Sequence, residues 1–250
     1  LVGSEMCIRD SYDPLDAVML ESLQAPSSAH PFGTDKLGRD LLSRVIFGTR
    51  TSLIMTLCLV AVIFVIGTFL GVIAGYFGGI VDGVIMRIAD MMISFPGLVL
   101  AIAIAGMLGP NLVNAVISIA AVSWTKYARL ARSMVLRVKK NLYIEAAVVN
   151  GTRTWKILLV HVLPNMVTQM VVTAAADIGT MMLELASLSF LGFGATAPTP
   201  EWGLMLNEGR TYMAKAPWLM IYPGIAIVIC VVIFNMLGDS IRDVLDPRQE

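Results

Sequence analysis

Two carboxylates, Asp177 and Glu184, stand seven residues apart in a run from 162 to 191 that carries no other charge. On a helix that spacing puts them near one face. Ionisable groups at membrane depth are rare, and they mark an ion or solute path or a pairing with cations from another subunit. Asp90 and Asp177 invite comparison with an acid dyad, but no GxGD surrounds either, and no GxSG serine is present. An intramembrane protease is therefore excluded, and no catalytic residue is assigned. His161 reads as a structural histidine near the membrane boundary rather than a proton relay. Cys7, Cys58 and Cys230 form no CxxC pair, which argues against a zinc or other metal site and against a disulfide framework; Cys58 and Cys230 read as small apolar filler.

The elements that must hold these groups follow from composition. The chain of 250 residues is 57% hydrophobic and only 14% charged, against about 25% charged in a soluble domain. Its mean hydropathy is +0.78. This is the composition of an all-α integral membrane protein, a polytopic helical bundle. Net charge is zero, so no basic excess points to nucleic acid; the surrounding medium is membrane lipid. Five runs are apolar enough to predict crossings: 53–74, 91–108, 112–127, 162–191 and 218–237. Residues 1–11, LVGSEMCIRDS, differ in character from the rest of the chain and read as a linker-like, non-native extension.

Lys and Arg set the orientation. Between the third and fourth runs lie Lys126, Arg129, Arg132, Arg137, Lys139, Lys140, Arg153 and Lys156, opposed only by Glu145, so this loop is expected in the cytoplasm. The tail 239–250 is then cytoplasmic, and 195–217 and 12–51 are external. The last placement sits badly with Lys36, Arg39, Arg44 and Arg50, and an upstream span that sets the topology first would resolve it. Residues 37–47 place Leu41, Leu42, Val45 and Ile46 on one side of a helix, a pattern suited to the bilayer surface or to a lead-in to the first span. Gly67, Gly71, Gly75 and Gly79 recur every four residues, giving a face where a neighbouring backbone approaches, in another subunit or within the chain.

Residues 145–165, EAAVVNGTRTWKILLVHVLPN, interrupt the apolar runs. A short helix over 143–149 is expected, then a change of direction at Gly151, a cap at Thr152, a second helix over 153–162, and the start of the fourth span at Pro164. The result is a helix-turn-helix with small residues at its tip, open to another protein.

The spacing Glu145-Ala146-Ala147, Gly151, His161, Leu163-Pro164 resembles the EAA motif of ATP-binding-cassette (ABC) importer permeases. The segments 30–53, 86–104, 184–203 and 237–248 resemble the second permease subunit of dipeptide, oligopeptide and nickel importers. The likeness covers roughly residues 12–249. It implies a type I importer permease bundle with five spans present of an expected six, the transmembrane domain being 52–238 and the cytoplasmic coupling loop about 128–161. It implies a chain that forms half of a translocation path for peptides or a related small solute such as a nickel chelate. Glu145, Ala146, Ala147, Gly151, His161, Leu163 and Pro164 would dock on an ATPase subunit. The implied partners are a homologous sister permease, two ABC ATPase subunits and an extracytoplasmic substrate-binding protein. The chain has no GxxxxGK[ST] phosphate loop. It is thus expected to be no enzyme and to bind no cofactor, with ATP used by the partner subunits in a prokaryotic plasma (inner) membrane. An ion-gradient carrier using Asp177 and Glu184 is the alternative, and it leaves the basic loop unexplained.

Overall fold

The computed structural model describes residues 13–245; the extension 1–11 and the end of the C-terminal tail lie outside them. Eight helices carry the fold: α1 (Leu41–Phe77), α2 (Gly79–Ile93), α3 (Gly97–Leu108), α4 (Leu112–Val138), α5 (Leu142–Val149), α6 (Thr154–Phe190), α7 (Trp202–Gly209) and α8 (Trp218–Leu245). Among the described residues no strand forms; a single isolated bridge joins Thr34 and Asp40.

Helices α1, α6 and α8 are long and apolar enough to cross a membrane, and the pair α2–α3 makes a fourth if counted as one span. The expected run 91–108 is not one helix. It breaks at Ser94-Phe95-Pro96, and the two pieces are bent by 93°. Pro96 has no N–H to give, and its ring disfavours helical geometry at Phe95. The run 112–127 continues as helix to Val138, and the cations in its second half keep α4 out of the set that qualifies by composition. Against the five crossings expected from the sequence, length and composition support three, or four with the bent pair.

The chain folds as two compact units. The first comprises the residues up to Leu57, with Ile102–Ile117 and Gly179–Ile233. No surface helix covers 37–47. Gly38 has φ +75°, a left-handed turn, and the helix starts at Leu41 as the lead-in to the long apolar run. The polar side of that segment is not solvated. Arg39 and Arg44 are each only 1% exposed. Arg39 Nε donates to Asp35 at 2.6 Å, and Glu208 of α7 lies 3.4 Å from Arg39, 3.6 Å from Arg44 and 3.2 Å from Lys36. Arg44 also donates to the carbonyls of Pro14 and Pro198, at 3.2 and 3.3 Å. Three of the four cations that sit badly with an external placement thus have a structural role, because each meets a carboxylate of its own unit.

Beside this cluster Trp202 is buried, and its indole N–H donates to the Val45 carbonyl at 2.9 Å. Gly48 leaves room for the ring; a Cβ there would stand 3.0 Å from Trp202 Cδ1. Glu201 caps α7, accepting from the N–H groups of Gly203 and Leu204 at 2.9 and 2.8 Å. Burial pushes its carboxyl above the ordinary value, and those two backbone bonds oppose the rise without reversing it.

The second unit comprises Cys58–Ala101, Ser118–Ile178 and the chain from Phe234. Here α1 and α4 run parallel at close range. A Cβ on Gly67 would fall 2.5 Å from Tyr127 Cβ, one on Gly71 would collide with the Ala128 carbonyl, and one on Gly75 would fall 2.8 Å from Val135 Cβ. The glycine face therefore serves packing within the chain. Gly79 is not part of it: with Gly78 it makes a positive-φ break between α1 and α2, with open space around both. Across α4, Arg132 holds Asp82 of α2 through two bonds of 2.5 and 2.6 Å, and Arg129 meets Asp90 at 2.6 Å. The thiols of Cys58 and Cys230 are free; Cys58 is exposed rather than packed as filler.

Replacing Gly71 by Ala should lower the thermal midpoint of the purified complex, with a cost of about 1–3 kcal/mol from overpacking. Gly83→Ala, on α2 with nothing within 4 Å, should leave it unchanged or slightly raised. For Glu201 the sign follows from a raised carboxyl: its contribution is full below the unfolded-state value of about 4.3 and is lost as pH rises through the folded-state value. Thermal scans from pH 4 upward should therefore show a decline that Glu201→Gln flattens.

Candidate functional site

The polar interruption folds into an elbow within the second unit. Helix α5 starts after Asn141 and ends in a paired closure: the Gly151 N–H donates to Val148 O and the Thr152 N–H to Ala147 O, both at 3.0 Å. That closure requires a left-handed residue just past the helix, and Gly151 supplies it with φ +72°. Thr152 is spent on the turn, so it does not cap the next helix. Arg153 takes the cap position, without a side-chain bond, and α6 starts at Thr154.

The first turns of α6 are not regular. Residues Ile157–Val162 form a π-helical turn. Pro164 explains its place, because a proline cannot serve the carbonyl four residues back, that of Val160, and a wider turn relaxes the clash. Asn165 completes the arrangement. Its amide donates to the His161 carbonyl at 2.6 Å and to the Tyr143 hydroxyl at 3.2 Å, tying the wide turn to α5. Tyr143 and His161 rings lie 6.2 Å apart at a tilt of 56°. Ile144, Ile157 and Val162 are buried beneath them. His161 is therefore part of the elbow's frame.

Outward the elbow presents Glu145, Ala146 and Gly151 to solvent, with Ala147 and Leu163 half-buried and Pro164 exposed. Around these stand apolar side chains that the sequence reading does not single out. Leu142 is 81% and Val149 86% exposed, and Val148 and Trp155 are more than half exposed. The sequence does hold a signal for them: a loop read as polar contains leucine, valines and a tryptophan that no amphipathic period assigns to a core. Arg153 and Lys156 flank the patch, both exposed.

The two intramembrane carboxylates fare differently. Asp177 does not wait for a partner subunit: it accepts from Lys126 Nζ at 2.5 Å and from the Tyr127 hydroxyl at 2.9 Å. Its side chain is 9% exposed. Glu184, in the other unit, is half-buried and interacts within the protein. Among the described residues no group of three or more His, Cys, Asp or Glu side chains is placed to hold a metal ion.

The family of binding-protein-dependent transport system inner membrane components matches residues 67–250. The chain belongs to that family. This inner membrane component is 45% identical over 228 residues to the dipeptide transport system permease protein DppC of Alkalihalophilus pseudofirmus, covering 91% of this chain and 75% of that protein. It is 47% identical to the glutathione transport system permease protein GsiD of Pectobacterium atrosepticum, covering 90% and 75%. It is 40% identical to the nickel transport system permease protein NikC of Escherichia coli K12, covering 95% and 86%. A chain of the inward-facing MetNI methionine ABC transporter superposes with a TM-score of 0.66 at 20% identity, over 82% of this chain and 98% of that one. An amino acid ABC transporter chain gives 0.54 at 16% identity, over 82% and 92%. The helical bundle is of the type I ABC importer permease kind, in a membrane-embedded chain.

Proposed function

We propose that this permease subunit forms half of the translocation path of an ABC importer for peptides or a related small solute, and that α5 is its coupling helix. The observation that carries the reading is the elbow. A short helix bearing Glu145-Ala146-Ala147 is held rigidly by Gly151 and Asn165, and it offers an exposed apolar tip where a solvated connector would be polar. Separate ATPase subunits supply the energy, since this sequence has no phosphate-cradling loop. A sister permease supplies the other half of the path, and an extracytoplasmic binding protein delivers the solute. Taking an inward-open population from 1:99 to 99:1 needs about 5.5 kcal/mol of differential interaction. A stiff elbow delivers that to α6, whereas a slack one dissipates it.

The elbow is cytoplasmic in this reading, and the segment with Arg39, Arg44 and Glu208 is external. Dipeptide, glutathione and nickel carriers are all similar to this chain. Dipeptides and glutathione are small polar solutes bearing carboxylate groups, whereas nickel is a cation. Asp177 is already held by Lys126 and Tyr127, which speaks against an ion-gradient carrier built on a free carboxylate there.

Gly151 tests the proposal. A β-branched residue at φ +72° costs about 1–3 kcal/mol of local strain, whereas Asn tolerates that backbone. In the assembled transporter Gly151→Val should lower ATP-driven uptake at least about tenfold with insertion unchanged, and Gly151→Asn should retain most of it. Wild-type uptake by a normally expressed Gly151→Val chain would remove the coupling role.

A further inference from the structure

Lys126 sits deeper than its charge should allow. The apolar run 53–74 of α1 carries no charge and, at about 1.5 Å per residue, covers about 33 Å, the thickness of the hydrocarbon layer. Gly67 lies within that run, past its middle, and it is the residue pressed against Trp124 and Tyr127. Gly71, one turn on, is pressed against Ala128 and Ala131. Because α1 and α4 run parallel through these contacts, Lys126 stands at the depth of Gly67, inside the apolar layer, and Arg129 at the depth of Gly71, toward the end of the run.

They are also uncovered. The Lys126 side chain is 60% exposed and that of Arg129 44%, while Asp177 behind Lys126 is 9% exposed. Asp90, the partner of Arg129, is 58% exposed. Ser133, one further turn along the same side of α4, is exposed as well. A lipid tail against an ammonium inside the layer is unfavourable, and such groups face water or protein. The partly exposed ion pairs are too wet in outlook for a dry seam and too charged for lipid.

We infer that this side of α4 lines the water-filled part of the translocation path, and that Lys126, positioned by Asp177, is the group offered to an anionic part of the passing solute. The inference rests on the importer reading and reverses the expected sign at this site: the buried carboxylate orients, and the ammonium meets the cargo. Tyr127 holds the second oxygen of Asp177, so the carboxylate cannot swing out while the lysine stays in place. Arg129 and Asp90 continue the polar lining as a paired, near-neutral step. A paired, near-neutral step gives a weak, easily vacated stop, which suits passage better than tight capture.

The test uses thiols in the assembled transporter, in membrane vesicles, on a background with Cys7, Cys58 and Cys230 replaced. Val65 on α1 is 61% exposed at nearly the same depth and serves as the lipid-facing control. Lys126→Cys and Ser133→Cys should react with membrane-impermeant charged methanethiosulfonates at least about tenfold faster than Val65→Cys; Ser133→Cys leaves both ion pairs intact should the lysine variant assemble poorly. At Ser133→Cys the ratio of anionic to cationic reagent rates should fall several-fold on adding Lys126→Gln and hold on adding Lys126→Arg. Absence of labelling at both positions would mean that a partner subunit covers this face, and an unchanged ratio would mean that Lys126 sets no potential in the path; either overturns the inference. Labelling needs only the assembled complex, so a failure here is distinct from a failure of the Gly151 test.

Discussion

The close approach of α1 to α4 through Gly67, Gly71 and Gly75 governs the second unit. Three absent side chains let two backbones meet where any Cβ would clash with a carbonyl or a neighbouring Cβ. In lipid no hydrophobic effect draws helices together, so contact of this kind is what holds them. The seam also sets the register of α4. Once Tyr127 lies on Gly67 and Ala128 on Gly71, the positions of Lys126, Arg129 and Arg132 follow, and each finds an aspartate within 2.6 Å, on α6 for the first and on α2 for the other two. The charges of α4 are thus tolerated because of glycines on another helix.

The elbow solves a different problem, stiffness without bulk. A short helix has little stability of its own, because few of its backbone bonds are internal. Here both ends are engaged: Gly151 closes the last carbonyls, and buried Ile144 anchors the first turn next to the wide turn of α6. Pro164 forces that wide turn, and Asn165 stitches it to Tyr143. The motif residues Glu145, Ala146 and Ala147 contribute little to this framework. Their neighbours hold the shape, and they occupy the surface.

Much of this is legible in residue order. The apolar runs, the reversal at Gly151, the open tip and the depth of Asp177 all follow from composition and local stereochemistry. Other features depend on partners distant in sequence. That 37–47 is no surface helix depends on Glu208, which lies 169 residues beyond Arg39 and pairs with both Arg39 and Arg44. That Asp177 is engaged within the chain depends on Lys126 and Tyr127 on another helix, and periodicity along one helix carries no information about that pairing. The expected cap at Thr152 fails for a local reason: a left-handed closure uses the residue after glycine as a donor, leaving the next one to start the helix. The break at Pro96 is readable, but the length of apolar sequence around it masks the proline.

The tip of α5 has a consequence for biogenesis. If α5 docks as proposed, a copy without a docked partner keeps Leu142, Val148, Val149 and Trp155 in water, since the turn at Gly151 holds them outward and gives them no core to retreat into. Surfaces of that kind are what chaperones and quality-control proteases engage. On the proposed docking role, orphan chains are expected to turn over faster than assembled ones.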